Sequence, residues 1–139
     1  MGKIIPFIVL NEFREEDEMK HGVANGYVAV GPDNRFYDLT KSDNAVESVI
    51  VHGGITLTEP AYTKEFPIKA DETTKTKPVF PRKRNPLLEK AVYLTLDRIV
   101  PDNYWIFGFD TFHYPNDNKY DQDLDFCIKE TLRFAEQFK

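Results

Sequence analysis

Near the C-terminus, Leu124, Cys127, Ile128, Thr131, Ala135 and Phe138 fall three or four residues apart along one line. That period belongs to an amphipathic α-helix with one stripe to bury. Asp121, Asp123 and Asp125 stand at its start, where unpaired backbone N–H groups favour negative charge. One such helix cannot close a core alone, so the rest of the chain must supply the surface that covers its stripe.

That surface reads as β-structure. Gly26-Tyr27-Val28-Ala29-Val30 is a β-type run ended by the turn signal Gly31-Pro32-Asp33-Asn34. Residues 45–58 alternate β-branched and polar side chains, with Val49, Ile50 and Val51 marking a strand buried on both faces and Gly53-Gly54 interrupting it as at a bulge. In the 104–112 strand, Trp105, Phe107 and Phe109 share one face and Tyr104, Ile106, Gly108 and Asp110 the other. Residues 3–10 make a short strand, placed at a sheet edge by Pro6. Asn85-Pro86 starts a helix through Leu88, Ala91, Val92, Leu96 and Ile99, although Val92, Tyr93 and Thr95 also tolerate a strand. The expected fold is therefore a single α+β domain spanning residues 1–139. Its mainly antiparallel sheet uses strands near 26–30, 46–58 and 103–112, with the C-terminal amphipathic helix packed on one face.

Five prolines, at 60, 67, 78, 81 and 86, forbid a continuous helix or central strand through 59–86, so that segment reads as a long loop. It holds the chain's one basic island, Lys75, Lys77, Arg82, Lys83 and Arg84. This island is either a solvated face or a rim that gathers an anion. Elsewhere acids prevail: 23 acidic against 18 basic side chains give a net charge of −5, which speaks against duplex nucleic acid as a partner. A lone cysteine, Cys127, excludes an internal disulfide and a multi-thiolate zinc site; its place on the helix stripe makes it core, and a reducing compartment is expected. The apolar run from Ile4 to Leu10 is too short to span a membrane and is not followed by a cleavage-site pattern.

No dinucleotide fingerprint or P-loop occurs, and the Asp121, Asp123, Asp125 run has Phe126 where a calcium loop needs glycine. Chemistry concentrates in two patterns, His52-Gly53-Gly54-Ile55-Thr56 and Trp105-Ile106-Phe107-Gly108-Phe109-Asp110-Thr111-Phe112-His113. His52 and His113, if their strands are neighbours, form an acid and base pair near neutral pH. Asp110 can orient either ring, Thr56 joins the same concavity, and the Gly53 and Gly54 amides can face a phosphate oxygen. Such a set suits metal-independent phosphodiester cleavage, with no cofactor. Three other readings stand beside it. The histidines can be strand-end residues with ordinary backbone hydrogen bonds. Two His and one Asp can bind a divalent ion, although Asp110 and His113 point to opposite faces of a regular strand. Finally, Tyr62, Trp105 and Phe112 can stack a base while Arg82 and Arg84 hold phosphates, without catalysis.

The same two patterns resemble the hallmark HGG(L/I)T and GFDxxH segments of a widespread phage-encoded family of hypothetical proteins. Asn25-Gly26-Tyr27-Val28-Ala29-Val30 resembles its NGYVAV start, and the acidic C-terminal helix its end. The resemblance covers most of the chain after residue 24 except the proline-rich loop. This chain departs from that pattern at Thr111, where Cys is frequent, and at 114–117, where a small residue and Gly-Asp usually follow the histidine. A thiol at 111 is thus not required, and the loop after His113 can serve a different ligand. The resemblance implies a small soluble protein in the host-cell cytoplasm that acts on a nucleotide-like anionic ligand in counter-defence. It would either cleave a cyclic nucleotide immune signal or hold it intact as a sponge. A protein-interaction module is the remaining alternative.

Overall fold

The computed structural model describes residues 3–10, 24–64, 82–111 and 124–139. The elements are β1 (Ile4–Leu10), β2 (Ala24–Val30), α1 (Asn44–Glu47), β3 (Leu57–Pro60), β4 (Tyr62–Lys64) and β5 (Arg82–Arg84). A 3-10 turn (Pro86–Glu89), β6 (Val92–Tyr93), β7 (Trp105–Phe109) and α2 (Leu124–Glu136) follow. The α+β class is as expected: one five-stranded sheet, ordered β3-β7-β2-β1-β6 with every pairing antiparallel, carries α2 on one face. A two-stranded sheet, β4-β5, stands apart from it. No helix among the described residues is long and apolar enough to cross a membrane.

Strand alternation divides the core in two. On the α2 side, Ile8, Val28, Val30, Phe107 and Phe109 pack with Cys127, Phe134, Ala135 and Phe138 of the helix and with Val46, Val49 and Val51. On the other side, Ile5, Phe7, Val9, Tyr27, Ala29 and Ile106 pack under Ala61, Leu88, Val100 and Tyr104. The helix approaches closely because β2 offers Gly26, where a Cβ would collide with the Thr131 hydroxyl and the Phe109 ring. Thr131 turns its own Oγ1 back to the Cys127 carbonyl at 2.6 Å, which satisfies the hydroxyl inside the apolar contact. The stripe that is buried runs Cys127, Glu130, Thr131, Phe134, Ala135 and Phe138, whereas Leu124 is left exposed.

Four expectations are corrected. The 45–58 strand is absent: Asn44–Glu47 is one helical turn, Val49 and Val51 are buried, Ile50 is 70% exposed, and pairing begins only at Leu57. Asp43 starts that turn, its carbonyl accepting from Val46 and Glu47 while its carboxylate takes the Thr40 N–H, so β-branched composition yields to a local turn. The helix expected from Pro86 ends at Glu89. Asn85 does cap it, but Leu96 and Ile99 are 94% and 71% exposed and anchor nothing. β1 is not the sheet edge, since Val92–Tyr93 pairs beyond it and the Pro6 carbonyl accepts the Leu94 N–H; proline removes a donor but leaves an acceptor. The 59–86 stretch is not loop throughout, because it contributes the end of β3 and the β4-β5 pair.

Candidate functional site

The His52-Gly53-Gly54 segment is a tight turn, not a strand bulge. The Gly54 N–H donates to the Val51 carbonyl at 2.9 Å, with Gly53 and Gly54 at φ 69° and 79°. Positive φ at these positions is the reason for two glycines, because side chains with a Cβ are strained there. The turn is tied to α2. The His52 N–H donates to Glu130 Oε2 at 2.7 Å, and the His52 ring stands edge-on to Phe126 at 5.3 Å. Arg133 closes the arrangement with a two-point ion pair, Nε and Nη2 each 2.7 Å from Glu130. Arg133's hydrogen bonds hold the Glu130 carboxyl below its ordinary range; burial opposes them and the His52 N–H assists.

The remaining expected site residues are scattered over the sheet. Trp105 shares the α2 face, donates Nε1–H to the Leu39 carbonyl at 2.8 Å and meets Tyr37 edge-on. Thr56 lies at the outer edge, its N–H on the Gly108 carbonyl and its own carbonyl accepting from Lys41. Asp110 follows Ile106 and Gly108 onto the face away from α2, where its charge reaches Tyr27. Tyr62 and Arg84 are paired across β4-β5, with the guanidinium 5.6 Å from the ring centre and donating to the Val100 carbonyl. Arg82 pairs with Lys64 through the backbone. His113 and Phe112 lie outside the described residues, as do Lys75 and Lys77. His52 and Asp110 thus belong to opposite faces, and the expected concavity around both does not form from them. Among the described residues no three His, Cys, Asp or Glu side chains converge as a metal-binding set.

On the face away from α2, a cleft of about 620 Å³ opens between the sheet and the 3-10 turn. Val9, Tyr27, Leu57 and Leu87 supply apolar lining; Asn25, Glu59, Asn85 and Lys90 supply polar groups. Gly108 sits between Tyr27 and Leu57 in register. A Cβ there would stand 2.6 Å from Tyr27 Cδ1, so this glycine makes room for the Tyr27 ring rather than for a ligand beside Asp110. Burial pushes the Tyr27 phenol up, the Asp110 and Glu59 charges add to this, and a hydrogen bond with Asn25 opposes it.

Asn85 organises the wall of the cleft. It is 3% exposed. Its Oδ1 accepts the Leu87 N–H at 3.1 Å, while Nδ2 donates to Glu59 Oε2 at 2.9 Å and to the Pro60 carbonyl at 3.2 Å. Both amide hydrogens and the carbonyl are therefore engaged in shaping the protein, and Glu59 is held at the cleft by a buried donor. In the sequence Asn85 stands out as a helix start, and Tyr27 as part of a β-run and of the NGYVAV-like segment. What joins them is strand register, which no local pattern carries. No family model, curated protein or solved structure matches the chain.

Proposed function

We propose that this protein binds a small nucleotide-like ligand and releases it unchanged, a phage-encoded sponge for an immune signal in the host cytoplasm rather than an enzyme that degrades it. The observation that carries the binding half of this reading is the cleft: apolar walls, a few oriented polar groups and a volume of about 620 Å³, within the ordinary range for small-ligand sites. Binding is preferred to cleavage because the His52 ring packs against Phe126 of α2, with its backbone N–H bonded to Glu130, on the face opposite the cleft. Among the described residues lining the cleft there is no histidine to serve a bound phosphodiester as acid or base. The ring portion of the ligand fits among Val9, Tyr27, Leu57 and Leu87, with its phosphate toward Lys90. The counter-defence role rests on the family resemblance.

The test is calorimetric titration with linear and cyclic mononucleotides, followed by denaturation and chromatography of the released ligand. The expected result is saturable one-to-one binding, intact ligand on release, and weaker affinity in Lys90→Glu. Consumption of many equivalents per protein refutes the sponge. Absence of binding to any nucleotide, together with a stable complex with a host or phage protein, replaces it with an interaction module.

A further inference from the structure

The cleft's polar lining selects among bases. We infer that the ligand it takes is a guanine nucleotide, recognised through Glu59; this deepens the nucleotide-binding reading of the same cleft and rests on it. Glu59 is exposed at the cleft, and Asn85, itself buried, orients its carboxylate through the 2.9 Å bond to Oε2. An ionised carboxylate only accepts hydrogen bonds and has about four acceptor sites, of which the Asn85 bond takes one.

An acceptor-only group favours an edge that presents adjacent donors. Guanine offers N1–H beside its exocyclic amine. Adenine and cytosine place a ring-nitrogen acceptor next to the amine, which sets lone pairs against the carboxylate. Uracil offers one ring N–H flanked by carbonyl acceptors. A generic anion site is a poor alternative, because Glu59 lines the cleft and the Asp110 charge reaches Tyr27 beside it, repelling a phosphate placed among them. The phosphate therefore points outward past Lys90 while the base faces Glu59.

The experiment is titration of the full chain with GMP, IMP, AMP and CMP, and the same series on Glu59→Gln. In the wild type, GMP binds about ten-fold or more tighter than AMP and CMP, with IMP between because it keeps N1–H and lacks the amine. Glu59→Gln moves affinities in opposite directions. GMP weakens because the amide cannot serve two donors as the carboxylate does, whereas AMP is unchanged or tightens as a negative charge leaves the cleft. A general structural defect would weaken both, and Glu59 is exposed enough to be replaced without disturbing the core. Equal affinity for the four nucleotides, or a guanine preference that survives in Glu59→Gln, overturns the guanine assignment and leaves nucleotide binding standing. No binding by wild-type protein to any of the four overturns the nucleotide reading itself.

Discussion

Gly108→Ala tests whether the glycine in β7 exists to seat the Tyr27 ring. The added Cβ would stand 2.6 Å from Tyr27 Cδ1 and 2.7 Å from Cε1, with Leu57 Cβ at 3.4 Å on the far side. Tyr27 cannot retreat cheaply. It is 5% exposed, and its other strand neighbour, Phe7, is fully buried and stacked on it at 5.2 Å between ring centres. Replacing glycine at an unstrained position ordinarily stabilises by about 0.4–1 kcal/mol through the unfolded chain. Overpacking a filled core costs about 1–3 kcal/mol, so the clash decides the sign. Urea unfolding of the purified variant should show a lower midpoint with an unchanged slope, and melting should fall by roughly 2–4 °C per kcal/mol lost. Because Tyr27 lines the cleft, nucleotide affinity should fall as well. In a Tyr27→Leu background the alanine should cost clearly less than in the wild type, since contacting residues are non-additive. A Gly108→Ala protein as stable as the wild type would refute the argument that this glycine exists for Tyr27.

Three further outcomes follow from the α2 side. Glu130→Ala should lower stability by about 1–3 kcal/mol, because the His52 N–H and Arg133 lose a largely buried acceptor. Since the native carboxyl is held below its ordinary range, the wild-type advantage should be complete above the unfolded carboxyl pKa and shrink as pH falls through the native one, readable in melts from pH 7 to pH 3. The Cys127 thiol, which burial pushes up to about 11, should resist an aromatic disulfide reagent at pH 8 until the protein is unfolded. Its linkage has the opposite sign: the neutral thiol favours the fold below the unfolded value near 9, and that contribution is lost as pH rises toward 11. Trp105→Phe should cost about 1 kcal/mol through the lost bond to the Leu39 carbonyl while leaving nucleotide affinity unchanged; a selective loss of binding would return Trp105 to the site.

What was legible in the sequence was whatever depends on short-range period. The α2 stripe, the two faces of β7 and the 31–34 turn are each set by neighbours within a few residues, and each is present: the turn by the Asn34 N–H on the Gly31 carbonyl, the strand by Trp105, Phe107 and Phe109 facing the helix. The 45–58 segment failed for the complementary reason. Its valines satisfy a strand pattern equally well from a short helix and a turn, provided that Val46, Val49 and Val51 all reach the same core, and they do. Composition reports that a side chain is buried, but not by which backbone path it arrives.

The same distinction explains why the site residues expected from the sequence and the cleft proposed for the ligand lie on different faces. His52, two glycines and Trp105 attract a chemical reading because glycines beside a histidine are a poor choice for a strand that only packs and a tryptophan can stack a base. Each instead answers a local demand: positive φ in the 51–54 turn, an indole N–H satisfied by a carbonyl, and a backbone N–H received by Glu130. The cleft residues look ordinary one at a time. Glu59 follows a strand pattern, Asn85 precedes a proline, and Tyr27 sits in an apolar run. They converge only because β3, β7 and β2 pair with Leu57, Gly108 and Tyr27 in line, and because Asn85 returns after the β4-β5 pair to bond Glu59 across 26 residues of chain. A site assembled by register rather than by motif leaves its signature in an unspent acceptor beside apolar side chains. The guanine preference proposed for Glu59 is the property by which that assembly can be tested.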